Sequence, residues 1–396
     1  MKNMQLKVIG LTIISLILCT SQLFSQEKTD NKEKKQKVEL KPYGFLKGDA
    51  IYSTSGVNSF GGANLSAPQI ATSNENSAMG FTAQHTRIGL KGSTGEKVKA
   101  GGVVEIDFFG GPFDANTKPR LRLAYASVSK GGFELRMGQQ WDLFSPNNAT
   151  TNNTNGNMWF AGNYGFRRAQ LQASYKFNIE NIFPMIQISV GETAKDIADL
   201  GKDNFAGIPM VQGRLSVKIK DKYTIGFSGV YGTYKEFAGT IIVLDTLKND
   251  FNYYTTGIGV DINLPIHKYF SLNAEFNTGK NLNNANLFSV AGNHSWNFDA
   301  GNVVQNDKSS MGMWLNAVSE LNDHFTLVIG YGMDKYTNET IAAGSITNNS
   351  VIYGNLCYNI NHGFSLALEF QNISTKYEAI DAQTANVISL AGKLAF

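Results

Sequence analysis

Apolar and polar residues alternate with period two along most of this chain. Ala169, Leu171, Ala173, Tyr175 and Phe177 interleave with Arg168, Gln170, Gln172, Ser174 and Lys176, and Val211, Gly213, Leu215, Val217 and Ile219 with Gln212, Arg214, Ser216 and Lys218. Phe270, Leu272, Ala274 and Phe276 alternate with Ser271, Asn273, Glu275 and Asn277, and Phe364, Leu366, Leu368 and Phe370 with Ser365, Ala367, Glu369 and Gln371. Successive side chains of a strand point to opposite faces, so each run predicts a strand with one oily and one wet face. From Leu40 onward no amphipathic helical stretch of useful length competes with these runs.

The connections sharpen the picture. Short turns are expected at 91–97, 130–132, 178–183, 220–222, 265–268, 321–324 and 359–363. Long polar loops are expected at 53–79, 110–119, 143–163, 193–207, 236–250, 280–308, 337–348 and 376–384. Long and short alternate, so one end of the molecule carries the short turns and the other the long loops. Eight long and seven short connections imply an all-β fold, a transmembrane antiparallel β-barrel of about sixteen strands with both termini on the short-turn side. Closure follows from solvent: an unpaired backbone group in hydrocarbon costs several kcal/mol, so a sheet there has no open edge. Tyr52, Tyr175, Phe177, Tyr223, Tyr231, Tyr269 and Tyr331 fall at strand ends, where interfacial aromatics belong. A secreted β-sandwich would show less regular loop asymmetry.

The final run, 385–396, puts Ile388, Leu390, Gly392, Leu394 and Phe396 on one face and Ser389, Ala391, Lys393 and Ala395 on the other. It resembles the last strand of outer-membrane barrels, whose terminal aromatic is read by the barrel-assembly machinery. On that resemblance Phe396 is the assembly signal.

Residues 1–25 read as a signal peptide: Lys2 and Lys7, an apolar stretch over 8–19, and Ser25 before the expected cleavage. The apolar stretch is too short to span a bilayer. Residues 26–41 form a charged periplasmic N-terminal segment, and 42–396 the barrel. The leader holds two basic residues and the segment six basic and four acidic, which leaves the barrel 27 basic and 28 acidic residues. A nearly neutral body argues against a nucleic-acid partner. Past the leader Cys357 is the one cysteine, so an intramolecular disulfide and CxxC chemistry have no residues to stand on.

A barrel of this size is too wide for side chains to fill, so function follows from what projects inward. All seven arginines, Arg87, Arg120, Arg122, Arg136, Arg167, Arg168 and Arg214, lie in the first part of the chain. Outward Ile88, Leu90, Leu121, Leu123, Tyr125, Leu135 and Met137 put Arg87, Arg120, Arg122 and Arg136 inside; Arg168 and Arg214 follow from their own strands, and Arg167 falls at the loop edge. A charge on the lipid face at mid-depth would cost about 2–4 kcal/mol. Each guanidinium can fork onto a carboxylate, sulfate or phosphate. Lys47, Asp49, Glu105, Asp107 and Glu134 are expected inside as well, with Glu105 and Asp107 neutralising part of the arginine wall. His85, mid-strand near Arg87, is read as pore-lining rather than as a base.

The loop at 143–163 is a candidate constriction. It holds no acidic residue and offers amides, hydroxyls and the aromatics Trp159 and Phe160. Such groups facing arginines suit an organic anion better than a metal ion.

The segments at 44–52, 86–92, 105–110, 120–126 and 137–144 resemble the DcaP-like trimeric porins. The resemblance implies a sixteen-stranded outer-membrane channel, a homotrimer embedded in outer-membrane lipid, passing small organic anions such as dicarboxylates. It carries Arg87, Arg120, Arg122 and Arg136 over as pore-lining residues. No nucleophilic triad, P-loop or paired-histidine spacing stands out, so no catalytic residue, metal or cofactor is expected. The alternative is an outer-membrane adhesin or barrel enzyme with a plugged lumen.

Overall fold

In the computed structural model, residues 38–57, 76–110, 118–152, 158–193, 209–236, 241–242, 245–246, 251–293, 295–299, 302–361 and 363–396 are described. The signal peptide, most of the charged segment, His294 and His362 lie outside them. One antiparallel sheet closes on itself. Its sixteen staves are β1 Glu39–Ser53, β2 in two pieces, Ala78–Thr82 and Arg87–Thr94, β3 Val98–Asp107, β4 Arg120–Lys130, β5 Phe133–Trp141, β6 Arg167–Lys176, β7 Ile182–Gly191 and β8 Met210–Ile219. They continue with β9 Tyr223–Glu236, β10 Phe251–His267, β11 Phe270–Lys280, β12 Ser309–Glu320, β13 Phe325–Tyr336, β14 Ile346–Asn361, β15 Phe364–Tyr377 and β16 Ile380–Ala395. Each stave pairs with its chain neighbours, and β16 returns to β1 from Phe45↔Ala395 to Ser53↔Val387. Gly44 and Phe396 exchange two backbone hydrogen bonds of 3.1 Å, so the last residue is itself a rung of the closing seam.

The alternation in the sequence becomes two faces. Phe81 is 72% and Ile258 67% exposed on the outside, while Gln212, Asn316, Glu369 and Thr375 are buried inside. An outer apolar band of this kind belongs in lipid. The long connections hold small elements of their own: a hairpin of Ile241–Ile242 with Asp245–Thr246, a 3-10 turn at Leu282–Ala285 and a hairpin of Ser295–Asp299 with Asn302–Asn306.

Three sequence expectations are corrected. The loop expected at 376–384 is a tight hairpin. Tyr377 pairs with Ile380, Ala379 has φ 60°, and both strands run on past the apolar band. Polar residues there signal a strand in water rather than a loop. His85 is not mid-strand, because β2 breaks at 83–86. Thr86 Oγ1 takes over the ladder there, accepting from Lys47 N at 3.1 Å and donating to Lys47 O at 3.2 Å. The break also reverses parity: Met79 and Phe81 face out before it, Ile88 and Leu90 after it. Leu123 and Tyr125, expected outside, turn inside. A register shift between Glu105 and Ile106 leaves Arg122 as an extra residue in β4, so Leu123 lies opposite Glu105 and Tyr125 opposite Val103. The Arg136 guanidinium then sits 5.3 Å over the Tyr125 ring.

The two faces make a direct test. Leu215→Arg, on the lipid side of β8, should lower unfolding free energy in vesicles by about 2–4 kcal/mol. Ser216→Arg, one residue along and facing the lumen, should leave the urea midpoint near wild type.

Candidate functional site

Acidic β3 lies between two strands that carry arginines. Arg120 forks onto Asp107, with Nε 2.9 Å from Oδ1 and Nη2 2.6 Å from Oδ2. Arg122 bridges both acids, Nε to Glu105 Oε1 at 2.6 Å and Nη1 to Asp107 Oδ2 at 2.9 Å. Arg87 approaches Glu105 Oε1 from the other side at 3.6 Å, and the Tyr43 hydroxyl donates to Glu105 Oε2 at 3.0 Å. Three guanidiniums therefore share two carboxylates. Arg120 and Arg122, two residues apart in β4, meet two acids with the same spacing in β3, and the bulge falls at Arg122 itself.

Arg167 adds a fourth cation. It is 4% exposed, 5.1 Å from the Trp141 ring and 4.8 Å from the Phe166 ring, and its Nε and Nη1 make no hydrogen bond. Its charged neighbours are Arg122, Arg120, Asp107 and Arg87. The loop-edge reading of Arg167 missed this. Trp141 and Phe166, the rings that hold it, were the available signal.

The other arginines are committed elsewhere. Arg168 forks onto Asp142 and also donates to the carbonyls of Glu192 and Ala285, both at the long-loop end. Arg214 forks onto Asp261 at 3.0 and 2.6 Å, and Arg136 pairs with Glu134 at 2.9 Å. Arg168 and Arg214 thus line the interior as neutralised pairs. Lys47 bonds Asp49, and its Nζ lies 3.0 Å from His85 Nδ1. An ammonium only donates, so Nδ1 accepts and the ring proton is on Nε2. His85 packs edge-on between Phe45 and Phe109.

The acid-free loop after β5 lies against the opposite inner wall. Leu143 N and Phe144 N donate to Gln212 Oε1, both at 2.9 Å. Ser145 Oγ and Asn147 N donate to Glu275 at 2.5 and 2.7 Å, Thr150 N to Asn316 at 3.1 Å, and Asn152 N to Glu369 at 2.6 Å. Tyr164 OH reaches Asp334 at 2.6 Å. Burial, and then the adjacent carboxylate, push the Tyr164 phenol well above its ordinary range, so it stays a donor. Ala149, Met158 and Ala161 pack on Trp314, Val328, Val351, Tyr353 and Ile373. At Gly162 the chain runs so close to β12 that a Cβ would stand 2.1 Å from Met313 O. Trp159, expected to front the constriction, is 2% exposed and stacks on Phe288 at 4.5 Å, while Phe160 meets the same ring edge-on. These rings anchor the loop to residues 282–291 of a longer connection.

The carboxylates that hold the loop, Glu275, Asp334 and Glu369, were not singled out by sequence reasoning. They form no ion pair among the described residues and are satisfied by neutral donors from the loop, from residues just after it and from the neighbouring connection and wall. A buried charge needs such donors. The loop's lack of acids is the complementary half of that arrangement. Arginine wall, loop and acidic wall therefore follow one another across the lumen. No group of three or more His, Cys, Asp or Glu able to hold a metal is found among the described residues.

No protein-family model matches the chain, and no curated protein matches it in sequence. Solved structures do match in fold. The outer membrane channel DcaP of Acinetobacter baumannii aligns with TM-score 0.72 at 18% identity, covering 93% of this chain and 100% of that one. An anion-selective porin from Comamonas acidovorans aligns with TM-score 0.58 at 12% identity, covering 91% and 100%. Salmonella typhi OmpF aligns with TM-score 0.58 at 12% identity, covering 90% and 97%. The chain has the DcaP-like porin fold.

The loop latch is open to test. Glu275→Ala leaves Ser145 Oγ, Asn147 N and Trp314 Nε1 without their acceptor, at about 1–3 kcal/mol for each donor left buried and unpaired. The expected result is a lower melting temperature in detergent and a larger, noisier single-channel current. Glu275→Gln, which keeps an acceptor, should fall between the two.

Proposed function

We propose that this chain is an outer-membrane porin that passes small hydrophilic solutes by passive diffusion and prefers small organic anions such as dicarboxylates. It is exported by its leader, folded by the barrel-assembly machinery, and works as a homotrimer in the outer membrane of a Gram-negative bacterium. Likeness in fold to outer-membrane channels, one of them described as anion-selective, supports the transport part.

The preference for anions rests on one observation: among the described residues, Arg87, Arg120, Arg122 and Arg167 gather around two acids, Glu105 and Asp107. Two positive charges are left over. The inner carboxylates on the other side are paired with Arg168 or Arg214, or covered by the loop. The net field in the water path therefore comes from the guanidinium side, where rings of charge set selectivity. A planar carboxylate is the natural ligand of an arginine fork. Asp107 and Glu105 occupy the forks only in part, which leaves room for exchange with a passing anion.

Bilayer recordings under a salt gradient test the reading. Wild type should show currents in steps of three and a reversal potential on the anion side. Arg120→Ala combined with Arg122→Ala should move that potential toward cations, and Glu105→Gln should move it further toward anions. Reversal potentials that ignore both changes would refute the pore assignment. Heat-modifiable gel mobility confirms folding, since unpairing a buried charge costs roughly 3–5 kcal/mol.

A further inference from the structure

The closing seam carries a feature that the arginine wall does not explain. The β1–β16 register sets Lys47 directly opposite Lys393, and both face inward. Like charges opposite each other on neighbouring strands repel, so the pairing destabilises the seam that closes the barrel. Lys47 is held by Asp49 and His85. Lys393 has no ion pair among the described residues; its Nζ lies 6.0 Å from the Phe45 ring.

Both lysines border a cavity of about 270 Å³ between the seam, the loop and β13 to β15. Its remaining polar lining is the His85 imidazole, hydroxyls, amides and one thiol, among them Thr150, Thr151, Asn152, Asn355 and Ser365, and no Asp or Glu lines it. Glu369, a nearby acid, is occupied by Asn152 N, Asn355 Nδ2 and Gln371 Nε2 at 2.6, 3.0 and 2.7 Å. The volume sits just below the usual ~300–1,000 Å³ of small-molecule sites, so only a small solute fits.

We propose that this cavity, bounded by Lys47 and Lys393 under the loop, is a second anion subsite on the periplasmic side. It takes one carboxylate on the lysine pair and hydroxyl or carbonyl groups on the loop hydroxyls and Asn355. This deepens the transport reading and rests on it. The route from the first cluster is laid out in the side chains: Arg120 stands over Phe109 at 5.4 Å, Phe109 meets His85, His85 meets Phe45, and Lys393 faces Phe45. Cations stand at both ends of a short aromatic path. An anion leaving the arginines then passes to a second site of its own charge preference, and flux requires such a series of moderate sites rather than one deep one.

The probe is succinate added to the periplasmic side of a bilayer, read as concentration-dependent block of a chloride current. Lys393→Gln should weaken that block about fivefold, the loss expected for one unit charge near a carboxylate in a wet lumen, and Lys393→Arg should keep it. Ala367→Asp, which adds an acid to the same lining without deleting a contact, should weaken it as well. Block from the extracellular side at low succinate should change little in all three. An unchanged periplasmic block in both Lys393→Gln and Ala367→Asp, with wild type still anion-preferring, overturns the subsite and leaves the transport reading standing. A wild type that passes no current overturns both.

Discussion

Backbone amides in hydrocarbon have no water to turn to, and that constraint organises everything else in this molecule. It forces the sheet to close, and it makes the final residue a hydrogen-bonded rung opposite Gly44. It also divides side chains into two populations with nothing between. A residue on the ring faces either oil or the lumen. An added residue in one strand therefore does more than bend the sheet, because it exchanges the two populations beyond it. The break at 83–86 and the bulge at Arg122 both do this. The first sets His85 in the gap between the two pieces of β2, with Arg87 opening the second piece. The second turns Leu123 and Tyr125 inside, opposite Glu105 and Val103.

Charge inside the barrel follows from the same constraint. A lumen wall that excludes lipid collects polar side chains from every strand, and some become buried when a loop lies on them. Buried acids need either a cation or several neutral donors. Asp142 and Asp261 take cations, from Arg168 and Arg214. Glu275, Asp334 and Glu369 take donors, chiefly backbone amides and hydroxyls of the loop and its neighbours. An acidic residue in the loop would have faced these carboxylates at close range. The composition of the loop and the position of the acids are two sides of one electrostatic requirement.

Much of this was legible in the chain. Period-two alternation gave the strands, and the alternation of long and short connections gave the stave number, although the 376–384 stretch is strand in water rather than loop. The apolar neighbours used to orient Arg120 and Arg122 were less dependable, since Leu123 and Tyr125 themselves turn inside. What escaped were the parity switches and the cross-lumen partners. One switch had left a trace: Met79 and Phe81 are odd-numbered and lipid-facing, Ile88 and Leu90 even-numbered and lipid-facing, so an extra residue lies between them. The other had Gly138 as its mark. Gly138 sits opposite Tyr125 with φ 130°, where a Cβ would stand 2.1 Å from Ala124 O. A glycine inside a strand run often marks such an irregularity. The partners of the loop were out of reach for another reason. Residues such as Asn152 and Glu369 are 217 positions apart, and no local pattern encodes which wall a loop will touch.

On the proposed function, the partial neutralisation of the arginine wall is a balance between capture and release. Four bare guanidiniums would attract a dianion strongly and hold it, and a channel that holds its solute stops conducting. Two carboxylates without arginines would repel it. Four cations around two acids keep a net positive field while every fork already has a competing oxygen nearby. An arriving carboxylate then replaces an existing ion pair instead of meeting an empty charge, so the change in free energy on binding is small even though the absolute interactions are large. Arg167 departs from this rule. Held between Trp141 and Phe166, it makes no hydrogen bond through Nε or Nη1, and both atoms are buried. On the proposed reading Arg167 adds positive field from behind its two rings, and Arg87 and Arg120, whose side chains are more exposed, provide the exchange.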